Sequence, residues 1–190
     1  MPTPARPPGP AGIVLAVSGR RIDAVGADQP RFPAANEALV AQRIRDRMVS
    51  TTAKALVCSG ACGVDILALE AAAELGLACR LVLPFKRNQF RAGSVADRGE
   101  DWGRRFDAIL QQLPGEDVVE LDLHQSSTEA YAAANYEILN EAEELASRAG
   151  GRVLAMVVWN GLSRGPTDLT DQFRKLAVDR KLEVIPVSTL

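Results

Sequence analysis

Two kinds of segment alternate along the chain: short runs of branched apolar residues and longer amphipathic stretches. The short runs predict strands, because a strand buried on both faces of a parallel sheet is almost continuously apolar. The amphipathic stretches place apolar residues at helical spacing and predict helices. The predicted strands are 12–19, 53–60, 77–85, 117–121, 152–159 and 182–187, and the predicted helices are 34–50, 63–76, 104–113, 128–150 and 169–181.

Residues at the boundaries of these segments have the chemistry of caps and turns. Gly76 and Gly150 stand where helices commonly end in a left-handed residue, and Thr128 is the expected N-cap of the longest helix. Pro166 suits the first position of the last helix. The connector over 86–103 is long, which suggests function or mobility.

The regular alternation of strand and helix favours an α/β fold with a mostly parallel sheet covered on both faces. Neither an internal repeat nor a second domain is evident, so residues 12–190 are expected to form a single domain. The Pro-rich stretch 1–11 is expected to be a flexible lead-in. Ligands of such sheets bind at the carboxyl ends of the strands, so the loops that follow strands become the candidate site.

Charge and composition narrow the expected partners and location. The formal net charge of −2 gives no overall field that would recruit nucleic acid or an anionic membrane, so neither is expected as a partner. Three cysteines and no secretory signal favour reduced thiols and a cytoplasmic protein. The only histidine is His124, so neither a structural zinc site nor a conventional catalytic triad is expected, and no metal or cofactor is assigned.

The first candidate loop is "SGRRID", directly after the first predicted strand. Ser18 and Gly19 leave room for a ligand near the backbone, and Arg20 and Arg21 supply guanidinium groups that match phosphate or carboxylate oxygens. The alternative is a solvated arginine pair. Asp23 is expected to cap the loop, to orient an arginine, or to bind a ribose hydroxyl.

The second candidate loop is "SGACGVD", between a strand and a helix. Gly60 and Gly63 bracket the turn, where free amides at a helix N-terminus would bind an anion. The stretch lacks the Lys-Ser/Thr of a P-loop, so an ordinary tight turn is the alternative. Asp65 either offsets the helix dipole or binds a ribose hydroxyl, and Cys62, with no basic partner evident, is expected to be a packing residue.

Two further regions complete the predicted pocket. In "NGLSRGPTD", Gly165, Thr167 and Asp168 precede a helix whose N-terminus offers a second anion site, or else they only close and cap the loop. Tyr131 and Asn135 lie four residues apart on one helical face, where they would stack on and hydrogen-bond a base or belong to the core. Trp102 and Phe90 are expected either to form a lid or to anchor the long connector.

The order of "VLAVSGRRID", "ALVCSGACGVDILALEAAAELG", "LVLPF" and "WNGLSRGPTD" resembles the SLOG superfamily. That group includes the LOG phosphoribohydrolases, the DNA-processing protein A family and bacterial nucleotide-signalling sensor domains. The resemblance covers nearly the whole chain after residue 11. It implies a Rossmann-like, doubly wound fold that binds nucleotides or their derivatives, homodimers formed through helices, and effector modules that are fused to or paired with the domain.

The resemblance also assigns residues by position. Ser18, Gly19 and Arg20 match the first ligand loop, and Gly165, Thr167 and Asp168 match the late loop. The second, phosphate-binding turn is matched by Gly60, Ala61, Gly63 and Asp65. The LOG enzymes carry a catalytic glutamate in the late loop, but Thr170 stands in its place here, with Asp171 nearby and out of register. This departure weakens the assignment as a hydrolase.

Three hypotheses follow for the function. The first is a cytoplasmic sensor that binds a nucleotide-derived small molecule. The second is a nucleotide N-glycosidase, which would need a carboxylate such as Asp168, Asp171 or Asp23 near the anomeric carbon. The third is an interaction domain with a vestigial pocket.

Overall fold

The computed structural model describes residues 12–124 and 127–190. The Pro-rich segment 1–11 lies outside the described residues, so the expectation for it stays a prediction. The strands are β1 (Ile13–Gly19), β2 (Ala53–Cys58), β3 (Ala78–Leu83), β4 (Val118–Glu120), β5 (Arg152–Trp159) and β6 (Glu183–Ser188). The helices are α1 (Glu37–Ser50), α2 (Val64–Glu74), α3 (Arg87–Phe90), α4 (Glu100–Gln112), α5 (Thr128–Arg148) and α6 (Leu169–Asp179).

The six strands form one parallel sheet in the order β4-β3-β2-β1-β5-β6. The chain runs outward from β1 to β4 on one side and then crosses back to β5 on the other side. The strand order therefore reverses between β1 and β5, and ligands of such sheets bind at the carboxyl ends of the strands beside that reversal. The prediction of a Rossmann-like, doubly wound α/β fold is confirmed.

Alternate residues of the strands face two separate cores. Leu15 and Val17 of β1 belong to a core cluster that also contains buried residues of α1, α2 and α4. Val14 and Ala16 belong to a second cluster that contains buried residues of α5 and α6. Helices thus cover both faces of the sheet, which explains why the strands are so continuously apolar. We call the side covered by α5 and α6 the α5 face.

Several predicted boundaries are corrected. The N-cap of α5 is Ser127, whose side chain accepts a hydrogen bond from the Ala130 amide, and not Thr128. The last helix begins at Leu169 with Asp168 as its N-cap, so Pro166 lies in the loop and not in the first turn. The long connector contains the one-turn helix α3 and a π-helical turn over Arg91–Val95.

Helix α4 begins four residues earlier than the sequence pattern predicted, and this answers the question about Trp102. The Trp102 side chain lies within the core and is 7% exposed, and the Arg105 guanidinium stands 4.1 Å from the centre of its ring. Phe90 is also buried. Both aromatic residues anchor the connector to the core, so the alternative of a lid made by these residues is wrong.

Within the part of the chain that the structure describes, none of the helices is long and apolar enough to span a membrane. The three cysteines, Cys58, Cys62 and Cys79, are free thiols.

Candidate functional site

Three half-buried polar or aromatic residues lie at the carboxyl end of the sheet, on the α5 face. Ser18 of β1 continues the alternation of Val14 and Ala16, and Trp159 of β5 continues that of Val157. Ser59 follows β2 in the same phase and donates a hydrogen bond to the Val82 carbonyl at 2.9 Å. Tyr131, in the first turn of α5, packs towards the other core cluster. We call the space at these strand ends, beside the reversal of strand order, the crevice.

Arg20 lies at the base of the crevice and is 3% exposed. Its Nη1 donates to Asp168 Oδ1 at 2.7 Å, its Nη2 donates to the Leu162 carbonyl at 2.6 Å, and its Nε donates to Asn160 Oδ1 at 3.4 Å. The alternative of a solvated arginine is therefore wrong at this residue. The guanidinium instead joins the segment after β1 to residues 160–168, which we call the late loop.

Asp168 uses both carboxylate oxygens to organise the start of α6. Oδ1 accepts from the Thr170 and Asp171 amides at 3.1 and 3.3 Å, and Oδ2 accepts from the Arg164 amide at 2.7 Å. Burial would raise the pKa of Asp168, but the hydrogen bonds from Arg20 and from the Arg164 amide outweigh burial and hold the pKa well below its usual range. The anion at this helix N-terminus is thus the chain's own side chain.

The amides of the turn after β2 are likewise hydrogen-bonded to groups of the chain itself. Asp65 Oδ2 accepts from the Gly60 and Ala61 amides, each at 3.1 Å. The Cys62 amide donates to the Ser94 carbonyl, and the Val64 amide donates to the Arg20 carbonyl. The turn that was expected to cradle a phosphate thus directs these four amides to its own chain. A side chain, and not a ligand, supplies the negative charge.

Asp65 nevertheless differs from Asp168 in its protonation. Burial raises the pKa of Asp65 to about 7, and the hydrogen bonds from the Ala61 and Gly60 amides offset only part of that effect. Its first-turn position had suggested a charge that offsets the helix dipole. The structure places a buried carboxyl there whose charge changes near neutral pH.

Cys62 has a basic partner that was not evident in the sequence. Arg21 Nε stands 3.3 Å from Cys62 Sγ, and the other end of the Arg21 guanidinium forms an ion pair with Asp97. Burial raises the pKa of the Cys62 thiol, and Arg21 only partly offsets this. Cys62 is therefore a packed thiol, as expected, and Arg21 is held at the rim of the crevice.

The other two candidate catalytic carboxylates, Asp23 and Asp171, are also bonded to groups of the chain itself. Asp23 accepts from the Arg31 and Phe32 amides at 2.7 and 2.8 Å, which closes the loop after β1. Asp171 forms ion pairs with Lys175 and Arg174, at 2.9 and 2.8 Å. A hydrogen bond from Lys175 is the main cause that lowers the pKa of Asp171. A carboxylate that is held ionised by cations, as Asp171 is, is a poor general acid.

Tyr131 and Asn135 have the packing role considered for them, and contact with a base stays a prediction. The Tyr131 ring packs edge-on against Phe85, with centroids 5.5 Å apart, while its hydroxyl lies 2.8 Å from the Ser94 hydroxyl. Asn135 is buried and its Nδ2 donates to the Leu169 carbonyl at 2.9 Å. Both residues thus attach the wall of the crevice to neighbouring elements.

Gly165 and Thr167 lie in the exposed late loop. Gly165 has φ +104°, a value that side chains rarely adopt, and a Cβ at this position would meet nothing within 4 Å. Gly19, by contrast, leaves no room for a ligand, because a Cβ there would lie 2.4 Å from the Val64 side chain. The missing side chain at Gly19 serves helix packing.

Sequence reasoning missed Ser94, Ser59, Trp159 and Arg31. The period-two alternation along the strands could have found Ser59 and Trp159, because Ser18 was found at the equivalent position of β1. Ser94 reaches the crevice through a π-helical turn, and π-turns are frequent at functional sites but have no simple sequence signal. Arg31 becomes visible only when the loop after β1 is folded.

Comparison with known proteins gives matches only among solved structures. No protein-family model matches the chain, and neither does any curated protein. DNA processing protein A from Streptococcus pneumoniae is 16% identical, with a TM-score of 0.41, and the match covers 94% of this chain and 59% of that one. DNA processing protein A from Helicobacter pylori is 14% identical, with a TM-score of 0.39 and coverage of 93% and 76%.

The chain thus spans less than two thirds of the length of the Streptococcus protein. At these identities the similarity concerns the fold alone.

One expectation about partners is wrong in the light of these structures. The Helicobacter protein is described as having a single-stranded DNA binding mode. A fold of this kind therefore also occurs in a DNA-binding protein, so the acidic balance of the chain does not exclude nucleic acid. The physical reason is that the net charge is a sum over the whole surface, and a protein with a negative net charge can still carry a positive binding edge. The Rossmann-like α/β architecture of this chain is shown by its own strand order.

Proposed function

We propose that this protein binds a nucleotide-derived small molecule in the crevice without hydrolysing it, as a ligand-sensing domain does. The observation that carries the proposal is the placement of Ser18, Ser59 and Trp159 at the carboxyl ends of β1, β2 and β5, beside the reversal between β1 and β5, with Tyr131 in the first turn of α5. Aromatic surface and a few placed polar groups at such a switch point are typical of a nucleotide site.

The distribution of charge supports an anionic ligand. The loops at the carboxyl edge, residues 20–33, 59–63, 84–98, 121–124 and 160–168, contain eight lysines and arginines, five aspartates and no glutamate. Lys86 and Arg87 pair with Glu120, and Arg91 pairs with Glu100 and Asp107. The excess positive charge therefore lies around the late loop, where Arg20, Arg31 and Arg164 outnumber Asp23 and Asp168.

The state of the carboxylates favours binding over hydrolysis. Cleavage of an N-glycosidic bond needs a carboxylate that is free to contact the sugar or a water. Asp23, Asp168 and Asp171 are bonded to backbone amides or cations. Asp65 is the remaining carboxyl with a suitable pKa, about 7, but its Oδ2 is enclosed by the turn amides.

The test is a thermal-shift and calorimetric screen with nucleoside monophosphates, NAD, cyclic nucleotides and a short single-stranded DNA. A ligand that binds the native state raises the melting temperature by mass action. Chromatography of the same samples would detect a released base. Binding without release supports the proposal, release of base supports the hydrolase, and binding of the DNA alone would replace the small-molecule ligand with nucleic acid.

A matched pair of variants locates the site. Tyr131→Phe removes the hydroxyl that faces Ser94 in the crevice, whereas Tyr136→Phe alters an exposed tyrosine on the same helix. We expect Tyr131→Phe to weaken binding several-fold, since one hydrogen bond contributes about 1 kcal/mol, and Tyr136→Phe to leave it unchanged. Equal affinities for both variants would place the ligand outside the crevice.

A further inference from the structure

Two guanidinium groups converge on a single backbone oxygen at the mouth of the crevice. Arg20 Nη2 donates to the Leu162 carbonyl at 2.6 Å, and Arg31 Nη1 donates to the same oxygen at 3.2 Å. A carbonyl is a neutral acceptor, whereas paired guanidinium donors bind most strongly to oxygens that carry negative charge. The position of the Leu162 oxygen is therefore better suited to an anion than to the group that holds it.

The charges around this oxygen are unbalanced. Asp168 is paired with Arg20, and Arg164 stands 3.6 Å from the same carboxylate. Arg31 pairs with no carboxylate among residues 12–124 and 127–190, and the Leu162 carbonyl is the one acceptor of its guanidinium there. Asp23 accepts from the Arg31 amide at 2.7 Å, so three arginines and two aspartates lie around this oxygen and leave an excess of one positive charge.

The segment that supplies the carbonyl is weakly held. Residues 161–167 are all exposed, and the Leu162 side chain is 65% exposed although it is apolar. Gly161 and Gly165 flank it with φ values of +79° and +104°, and a Cβ at either glycine would meet nothing within 4 Å. Moving residues 161–165 outward would break few packing contacts but would release the hydrogen bond from the Arg164 amide to Asp168, and the two glycines permit the backbone rotation.

We propose that Arg20 and Arg31 form an anion subsite of the crevice, which the Leu162 carbonyl occupies until a phosphate oxygen replaces it. Arg20 keeps its bond to Asp168 through Nη1 and presents Nη2 to the anion. Residues 161–165 then move outward about Gly161 and Gly165, and the freed carbonyl is hydrated. The subsite rests on the proposed function for its place in a ligand site and adds Arg31 and the late loop to it.

The probe is inorganic phosphate, titrated at constant ionic strength against a chloride control and followed by calorimetry. Arg31→Ala is compared with Arg43→Ala, because Arg43 likewise donates only to backbone carbonyls, those of Ser188 and Leu190. We expect Arg31→Ala to weaken phosphate binding roughly tenfold, as for loss of one charge-assisted hydrogen bond, and Arg43→Ala to leave it within about twofold. Equal affinities in the two variants, or no binding to the parent protein, would overturn the subsite.

Hydrogen exchange tests the movement of the loop. Phosphate should accelerate amide exchange in a peptide that covers residues 160–165 and leave exchange in α1 unchanged. Binding through Arg31 with no change in this peptide would show that the carbonyl is not displaced.

The subsite and the proposed function fail in different ways. If a nucleoside binds as tightly as its monophosphate and the Arg31 variant does not matter, the crevice binds a ligand but the anion subsite is wrong. If phosphate binds through Arg31 while none of the nucleotides binds better than phosphate, the subsite stands and the nucleotide proposal is wrong.

Discussion

The turn after β2 and the turn after β5 both use an aspartate to accept backbone amides near a helix N-terminus, but only one of the two aspartates is paired with an arginine. Each leads from a central strand into a helix, and each contains a buried aspartate that accepts backbone amides, Asp65 in the first and Asp168 in the second. Asp65 has only amides as hydrogen-bond donors in the turn, whereas Asp168 also has Arg20. The same residue type is therefore shifted in opposite directions, with the pKa raised at Asp65 and lowered at Asp168.

The two turns also differ in how firmly they are held. Gly63 forms a bridge with Arg21, and its Cα lies so close to the segment after β1 that a Cβ would stand 2.5 Å from the Ile22 nitrogen. Gly165 has nearly the same φ but open space around it. A rigid turn and a movable turn thus stand on either side of β1, which is an arrangement suited to a site with one fixed wall and one responsive wall.

The largest expected effect comes from breaking the buried ion pair. Arg20→Ala leaves Asp168 buried beside α6 without its cation, so we expect a loss of about 3–5 kcal/mol in the free energy of unfolding at pH 7. Urea denaturation measures it. Arg45→Ala is the control, because the Arg45–Glu74 pair is exposed and should contribute less than about 1 kcal/mol. Similar losses in both variants would mean that the Arg20–Asp168 pair does not anchor the late loop.

The next effect separates the rigid turn from the movable one. Gly63→Ala forces a side chain against backbone at 2.5 and 2.9 Å and keeps a positive φ, so the turn or the segment after β1 must shift. We expect a loss of about 3 kcal/mol or more for Gly63→Ala, and only about 1–2 kcal/mol for Gly165→Ala, which has strain without a clash. Denaturation midpoints of equal size for the two variants would contradict the difference in packing.

The fold was accessible from the sequence because each strand is a nearly continuous apolar run and each helix has a clear period. The sequence also placed the candidate residues correctly at strand ends. It could not assign their partners, because Arg20 and Asp168 are 148 residues apart and meet only when the sheet brings β1 beside β5. It also presented the amides of the turn after β2 as free, although the Asp65 side chain accepts the Gly60 and Ala61 amides.

The third effect depends on pH and arises at Asp65. The carboxyl titrates near 3.8 when unfolded and near 7 when folded. Between these values the folded state holds a proton that the unfolded state has lost, so stability falls as pH rises, by at most about 1.4 kcal/mol per unit. Asp65→Asn keeps an oxygen for the two amides and does not titrate, so it should match the parent protein near pH 4 and be more stable at pH 8 by up to about 4 kcal/mol.

Asp168 supplies the opposite control for that experiment. Its pKa is lowered in the folded state, so its contribution to stability is present at neutral pH and is lost as pH falls below about 4. Asp168→Asn should therefore be destabilised most at pH 7 and least in acid. If Asp65→Asn and Asp168→Asn followed the same pH profile, the electrostatic contrast between the two turns would be wrong.

The smallest expected effect concerns the anion subsite and uses the open space around Gly165. An alanine at φ +104° strains the closed late loop but not a loop that has moved outward. Gly165→Ala should therefore raise the affinity for phosphate. The expected gain is roughly threefold to tenfold, as for a strain of about 1 kcal/mol. Gly76→Ala carries similar strain at φ +67° in open space after α2, far along the chain from the late loop, and should lower stability without changing phosphate affinity. A gain in affinity confined to Gly165→Ala would identify the late loop as the element that competes with the anion. Unchanged affinity in both would mean that Leu162 keeps its place on Arg20 and Arg31 when phosphate binds.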